Sequence, residues 1–126
     1  MPTKQRVLDL VRYVEQGKIV EALNEFYGDD VVMRDNNNPP VVGRSANVER
    51  ERAFFGSITV TQMRAQAVIV DGDRAAVHWL FEFVAADGTP FRMDQISIQR
   101  WSGDRVVDER FYYDSASIVV KAAAAA

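Results

Sequence analysis

The chain has 126 residues, of which 48% are apolar and 26% are charged, and its formal net charge is −3. These values are typical of one globular domain. The chain has no cysteine and one histidine, which excludes thiol nucleophiles, cysteine-rich metal sites and histidine-based metal sites. We therefore expect no metal and no cofactor, and the chemistry left to the chain is that of carboxylates, tyrosines, arginines and His78.

The longest apolar run is much shorter than the ~20 residues that a membrane span requires, and residues 1–4 do not begin an apolar signal peptide. The sequence predicts a cytoplasmic protein without a membrane partner. Arginines alternate with glutamates in residues 49–52, so there is no basic stripe and we expect no nucleic-acid partner. We predict a single domain over residues 1–121 and a low-complexity alanine tail over residues 122–126.

Two helices are predicted at the start of the chain. Residues 4–16 carry apolar side chains at positions i, i+3, i+4 and i+7 counted from Val7, which is the pattern of an amphipathic helix, and Gly17 ends it. Residues 18–27 repeat this pattern, with Gly28 as the predicted end.

A short strand and a third helix are predicted next. Val31–Met33 is a β-prone run, and the asparagines and prolines of residues 36–40 predict a loop. Either Ser45 or Asn47 is a suitable cap for a helix that reaches Phe55.

The rest of the chain is rich in β-branched and aromatic residues separated by Asp-Gly, Gly-Asp and Gly-Thr-Pro turns. Such turns join neighbouring strands as hairpins, so an antiparallel meander is predicted. Helices followed by hairpin-linked strands indicate an α+β fold, with three N-terminal helices packed on a curved, mostly antiparallel sheet. The predicted strands are 58–70, 75–84, 91–101 and 106–114.

Two carboxylates are in strand phase with apolar residues. Asp94 alternates with Ile96 and Ile98, which predicts that this face points inward and carries Asp94 with it. A charge there would cost several kcal/mol unless the carboxylate were paired or protonated; the simpler interpretation is an Asp bonded to the backbone or to an arginine. Asp35 follows Met33 in the same phase, and its simpler interpretation is an Asp that begins a turn.

The single histidine is predicted to face away from the core. The odd positions from Val77 to Phe83 are all apolar, so His78 falls on the opposite face of its strand and is better explained as a dimer contact or a solvated side chain than as a catalytic group. A homodimer is expected through the exposed face of the sheet. That face is predicted to be lined by Gln95, Ser97, Gln99 and Trp101.

The chain resembles the nuclear transport factor 2-like superfamily, and within it the SnoaL-like polyketide cyclase and ketosteroid isomerase group. The resemblance covers residues 4–118 and rests on short segments in a fixed order. They are residues 26–35 (FYGDDVVMRD), 39–44 (PPVVGR), 101–107 (WSGDRVV) and 110–114 (RFYYD). The resemblance implies a cystatin-like, cone-shaped α+β barrel.

The resemblance also implies roles for the two unusual carboxylates. In ketosteroid isomerases, an Asp at the end of the first short strand removes a proton next to a carbonyl, and Asp35 matches it. A second Asp, held protonated, donates a hydrogen bond to the oxyanion, and Asp94 matches it. Leu10 stands at the position of the isomerases' oxyanion-hole tyrosine, and Tyr13 lies almost one helical turn away. Cyclase, dehydratase and isomerase chemistry therefore stay open.

We expect a small-molecule acid–base enzyme that acts on a small, apolar carbonyl substrate in a cone-shaped pocket. Asp35 would be the general base and Asp94 the oxyanion donor. Four further residues are expected to line the pocket: Tyr13, Phe55, Trp79 and Asp114.

Two alternatives remain open at this point. The first is a non-catalytic ligand-binding or dimerisation module of the same fold, in which side chains such as Phe55, Trp79 and Phe81 would fill the pocket. The second is an Asp–Arg–Asp arrangement similar to that of limonene epoxide hydrolase, which Arg92, Asp94 and Asp114 would imitate.

Overall fold

The computed structural model describes residues 1–120, so the predicted alanine tail at 122–126 lies outside the described residues. Within residues 1–120, no helix combines the length and the apolar character that crossing a membrane requires. The helices are α1 (Lys4–Glu15), α2 (Ile19–Phe26) and α3 (Arg44–Gly56). The strands are β1 (Tyr27–Asp35), β2 (Val41–Val42), β3 (Ile58–Asp71), β4 (Arg74–Ala85), β5 (Pro90–Ser102) and β6 (Arg105–Tyr112).

The six strands form one mixed sheet in the order β2-β1-β6-β5-β4-β3. Strands β3 to β6 pair antiparallel in sequence order, which confirms the predicted meander. Strand β1 pairs with β2 antiparallel and with β6 parallel. The three helices pack on this open, curved sheet, so the predicted α+β fold is confirmed.

The first strand is longer than the sequence predicts. Tyr27 and Gly28 were expected to end α2, but both lie in β1, where Tyr27 pairs with Val106 of β6. The register then shifts before Val32, and the exposed Asp29 and Asp30 lie in this irregular part of the strand. The two-residue strand β2, which was not predicted, pairs with Val32 and Met33.

The main core lies between the first two helices and the sheet. Val7 and Leu10 of α1 and Leu23 and Phe26 of α2 are buried against Val31 of β1. Each such side chain contributes about 1.5–3 kcal/mol when removed from water. The start of α1 is capped by Thr3, whose hydroxyl accepts a hydrogen bond from the Arg6 backbone N–H at 3.0 Å.

The prediction for the faces of β5 was wrong. Its buried side chains are those at the odd positions, whereas Asp94 and Ile96 are exposed on the opposite face. The cause is the register of the hairpin, which places Gln95 opposite the buried Trp79. The surface predicted to form a homodimer therefore lies inside the protein. It consists of Gln95, Ser97, Gln99 and Trp101.

Candidate functional site

A cavity of about 310 Å³ lies between the three helices and the inner face of the sheet. Its walls are mostly apolar, which is usual for pockets that hold small organic ligands. Its innermost polar residues, Tyr27 and Glu109, are buried, while Asp35, Arg50 and Glu51 are half-buried. The cavity thus has a closed inner part and a more exposed outer part.

Three of the predicted site residues line this cavity. Asp35 lies at the end of β1, Phe55 comes from the last turn of α3, and Trp79 lies on the buried face of β4. Asp35 is next to a second polar group, because the Tyr113 hydroxyl donates to Asp35 Oδ2 across 3.4 Å. Their placement agrees with the expectation, and their roles in binding and catalysis stay predictions.

Tyr13 and Asp114 lie outside the cavity, contrary to expectation. Tyr13 packs edge-on against Phe26, with ring centroids 5.0 Å apart, and Leu10 lines the cavity in its place. The Asp114 carboxylate accepts hydrogen bonds from the Ala116 backbone N–H at 3.0 Å and from the Ser117 hydroxyl at 2.9 Å. It therefore caps the turn after β6.

Asp94 lies on the outer face of the sheet, where its carboxylate contacts His78 Nε2. The predicted orientation failed because Ile96 and Ile98 share that outer face with it. Asp94 does line a separate depression of about 290 Å³, together with Arg92 and Asp114. These three residues are the ones considered above for an Asp–Arg–Asp arrangement. They lie together at this depression and do not line the main cavity.

Glu109 is an acidic residue of the cavity that sequence reasoning missed. Its carboxylate accepts hydrogen bonds from the Tyr27 hydroxyl and, at 2.9 Å, from Gln99 Nε2. Gln99 Oε1 in turn accepts from the Trp101 indole N–H at 3.0 Å. Burial raises the pKa of Glu109 to about 7, against the opposing effect of both hydrogen bonds. Burial and the neighbouring Glu109 raise the pKa of Tyr27 well above its ordinary value.

Helix α3 brings a charged pair to the outer part of the cavity. Arg50 Nη2 donates to Glu51 Oε1 at 3.1 Å. Burial raises the pKa of Glu51; Arg50 opposes this rise and Asp35 adds to it. The pKa of Tyr113 is raised by burial and by Asp35. The cavity therefore combines the carboxyl group of Asp35 with acids whose neutral forms are favoured by burial.

Two signals in the sequence point to the missed residues. The apolar odd positions of β4 indicate its buried face. The hairpin registers extend that face to the odd positions of β5, where Met93 lies opposite Phe81, and then to β6, where Glu109 lies opposite Gln99. Glu109 is therefore expected to be buried. For α3, the alternation of Glu and Arg in residues 49–52 was interpreted as a solvated face. A helix turns by 100° per residue, so only part of such a run is exposed.

The described residues contain no group of three or more His, Cys, Asp or Glu side chains arranged to hold a metal ion. What the site can do chemically is therefore read from its proton-transfer groups and its single arginine. When carboxyl groups in one apolar cavity have different environments, their pKa values differ, so one group can act as an acid while another acts as a base.

Comparisons with known proteins identify the family and the fold. A SnoaL-like domain model matches residues 7–109. A structure from Mesorhizobium loti, described as a SnoaL-like polyketide cyclase, is 20% identical, with a TM-score of 0.81 over 90% of this chain and all of that chain.

Two further structures share this fold. A ketosteroid isomerase-like protein from Catenulispora acidiphila in complex with trimethylamine has a TM-score of 0.78 at 18% identity, over 92% of this chain and 90% of that chain. A limonene epoxide hydrolase-like enzyme from M. tuberculosis has a TM-score of 0.75 at 13% identity, over 90% and 84% of the two chains. No curated protein matches the chain. The fold is nuclear transport factor 2-like, and the chain belongs to the SnoaL-like domain family.

Proposed function

We propose that this protein is an acid–base enzyme, an isomerase, cyclase or dehydratase, that acts on a small and largely apolar carbonyl compound. One observation carries the proposal: a single apolar cavity holds Asp35 beside acids whose burial favours their neutral forms, Glu51 and Glu109. Proton transfer at a carbon next to a carbonyl requires such a base and such acids in one water-poor site.

Asp35 is the general base of this proposal. It takes a proton from the carbon next to the carbonyl, the C–H electron pair forms the enolate double bond, and negative charge moves to the carbonyl oxygen. Return of the proton to another carbon is an isomerisation, and attack of the enolate on a second carbonyl closes a ring. Loss of a hydroxyl group from the enolate, with a proton that Glu51 supplies when it is protonated, releases water and is a dehydration. Asp94 takes no part, because it lies on the other face of the sheet.

The volume of the cavity supports the catalytic proposal over a module whose pocket is filled by side chains. Phe55 and Trp79 leave about 310 Å³ open between helices and sheet, which is at the lower end of the range for pockets that bind small molecules. The proposed substrate is therefore compact, with an apolar body and a carbonyl group.

The test measures exchange of α-protons for deuterium, which reports enolate formation whatever the final product is. Cyclohexanone and beta-tetralone are incubated with the protein in D₂O and followed by proton NMR. We expect Asp35→Asn to lower the protein-dependent exchange rate by about 100-fold or more, which is the usual contribution of a positioned general base.

Asp30→Asn is the matched control, because Asp30 is an exposed carboxylate on the same strand. It should exchange the ketones as fast as the unmodified protein. If the unmodified protein does not accelerate exchange, or if Asp35→Asn exchanges as fast as Asp30→Asn, the proposed function is wrong.

We also propose a homodimer, through the outer face of the sheet rather than through the buried face of β5. The helices cover only the inner face, and the outer face carries exposed apolar side chains such as Ile69, Ile96 and Tyr112. Apolar groups of this size on an open sheet are suited to pairing with a second copy.

A further inference from the structure

We infer that Arg50 is the group that receives the substrate's carbonyl oxygen and stabilises the negative charge that develops on it. The inference rests on the proposed function and adds to it the residue that binds the oxyanion. It assigns to α3 the role that sequence reasoning gave to Asp94.

The first observation is an incomplete set of hydrogen bonds. Arg50 Nη2 donates to Glu51, but Arg50 Nε is buried and has no partner. Native proteins rarely leave a buried donor without an acceptor, because the hydrogen bond that the donor made with water is then lost without replacement. Within residues 1–120 the other such side-chain atoms belong to Asn47 and Arg110, and neither of these residues lines the cavity. The rest of the side chain is accessible, because Arg50 lines the cavity and is 30% exposed, so the guanidinium can donate to a ligand oxygen there.

The second observation is the charge around the guanidinium. Arg50 is the one positively charged residue among those of the described chain that line the cavity. Burial raises the pKa values of Glu51, Glu109 and Tyr113, and the charge of Arg50 opposes that rise in all three. Its field therefore reaches both the inner and the outer part of the cavity.

This arrangement discriminates between the ground state and the enolate. An anionic ligand would enter a cavity that already contains the carboxylate of Asp35, and repulsion between the two negative charges would oppose the attraction of Arg50. A neutral ketone meets no such repulsion. When Asp35 takes the α-proton, it becomes neutral and the negative charge passes to the substrate oxygen. The net charge of the cavity does not change, while the negative charge moves to the atom that Arg50 would contact. Charge that develops only during the reaction is the kind that a fixed donor stabilises most usefully.

A neighbouring arginine on the same helix provides a matched control. Arg52 is two residues away, its side chain is 62% exposed, and it pairs with the exposed Glu49 across 4.0 Å. Arg52 does not line the cavity. Loss of Arg52 removes the same charge from the same helix without touching the site.

The experiment uses para-nitrophenol as a probe, because its phenolate form is a stable analogue of an enolate and absorbs at a different wavelength from the phenol. Titration of the complex by absorbance gives the affinities of both forms. Hydrogen bonds to a charged partner contribute about 1.5–3 kcal/mol, so we expect Arg50→Gln to weaken phenolate binding by about 10-fold to 100-fold. The affinity of Arg50→Gln for para-nitroanisole, which cannot ionise, should differ from that of the unmodified protein by less than about threefold.

Arg50→Lys should restore part of the phenolate affinity, and Arg52→Gln should bind both probes as the unmodified protein does. Circular dichroism of each variant checks that α3 is folded. Equal phenolate affinity in Arg50→Gln and Arg52→Gln would overturn the inference. So would the absence of binding of either probe to the unmodified protein.

The two proposals can fail separately. If the ketones exchange their α-protons through Asp35 while phenolate binding does not depend on Arg50, the proposed function stands and the inference on Arg50 is wrong. If phenolate binding depends on Arg50 but no ketone exchanges, Arg50 is an oxyanion-binding residue in a cavity that does not carry out the proposed reaction.

Discussion

Glu109 is an acid that the fold separates from water. It is 2% exposed, on the inner face of β6, and its two hydrogen bonds come from Tyr27 and Gln99. Because burial outweighs these bonds, its pKa of about 7 lies near neutrality. The group therefore changes its protonation within the pH range in which the protein would work, so that pH affects both the cavity and the stability of the fold.

The free energy of unfolding should therefore fall as the pH rises through this range. Between pH 4.5 and pH 7 the folded state holds the proton of Glu109 and the unfolded state has lost it, so raising the pH favours unfolding. A pKa rise from 4.5 to about 7 corresponds to about 3 kcal/mol. Glu109→Gln resembles the neutral acid and should reduce this pH dependence, which urea unfolding at several pH values measures.

Asp108→Asn is the control for this prediction. Asp108 precedes Glu109 on β6 but pairs with the exposed Arg100 on the outer side of the sheet. Its variant should keep the pH dependence of the unmodified protein. If Glu109→Gln loses stability between pH 4.5 and pH 7 as steeply as Asp108→Asn does, the buried acid is not the source of the effect.

Helix α3 acts as the element that presents Arg50, Glu51 and Phe55 to the cavity, and its position depends on a buried amide. Asn47 is fully buried, and its Nδ2 donates to the carbonyl oxygens of Val41 at 3.1 Å and Gly43 at 2.8 Å. These bonds tie the first turn of α3 to β2. Gly43 at the N-cap has no side chain of its own that could hold the start of the helix.

Asn47→Ala should lower the free energy of unfolding by about 1–3 kcal/mol, because it removes both hydrogen bonds of a fully buried side chain and leaves the Val41 carbonyl oxygen without this donor. It should also weaken para-nitrophenol binding, since the start of the helix that carries Arg50 loses its attachment. Thermal and urea unfolding measure the first effect, and absorbance titration measures the second. Glu49→Ala, on the exposed side of α3, should change neither. Unaltered stability in Asn47→Ala would contradict this account.

At the scale of elements, the sequence predicts secondary structure better than it predicts the faces of β5. The helices and the meander follow from periodicity and turn residues, and Asp35 was found because it is in phase with a buried strand end. The face of β5 was misjudged because Ile96 and Ile98 are apolar yet lie outside, while Gln95 and Gln99 are polar yet lie inside. Burial of a polar side chain depends on partners that can come from distant parts of the chain: Gln99 donates to Glu109, and Glu109 also accepts from Tyr27 at the start of β1. Local periodicity contains no information about such partners.

At the scale of the whole molecule, the helices cover the inner face of the sheet and leave its outer face, here called the bare face, exposed to solvent. On the bare face, Ala67, His78, Ile96 and Tyr112 lie side by side across β3 to β6. The next row across the same strands begins with the 64% exposed Ile69. An open sheet with these groups exposed to water gains free energy when a second copy covers it.

We therefore expect sedimentation of the unmodified protein to show a dimer at micromolar concentration, and Ile96→Asp to shift the equilibrium towards the monomer. The new carboxylate would lie close to Asp94 and would lose its water in the dimer, which costs several kcal/mol when no partner neutralises it. Val42→Asp is the matched control, because Val42 is 63% exposed on β2 at the far end of the sheet. A monomeric unmodified protein, or equal dissociation in both variants, would show that the bare face does not bind a second copy. Since the cavity is built from one chain alone, α-proton exchange per subunit should be the same in the Ile96→Asp monomer as in the dimer.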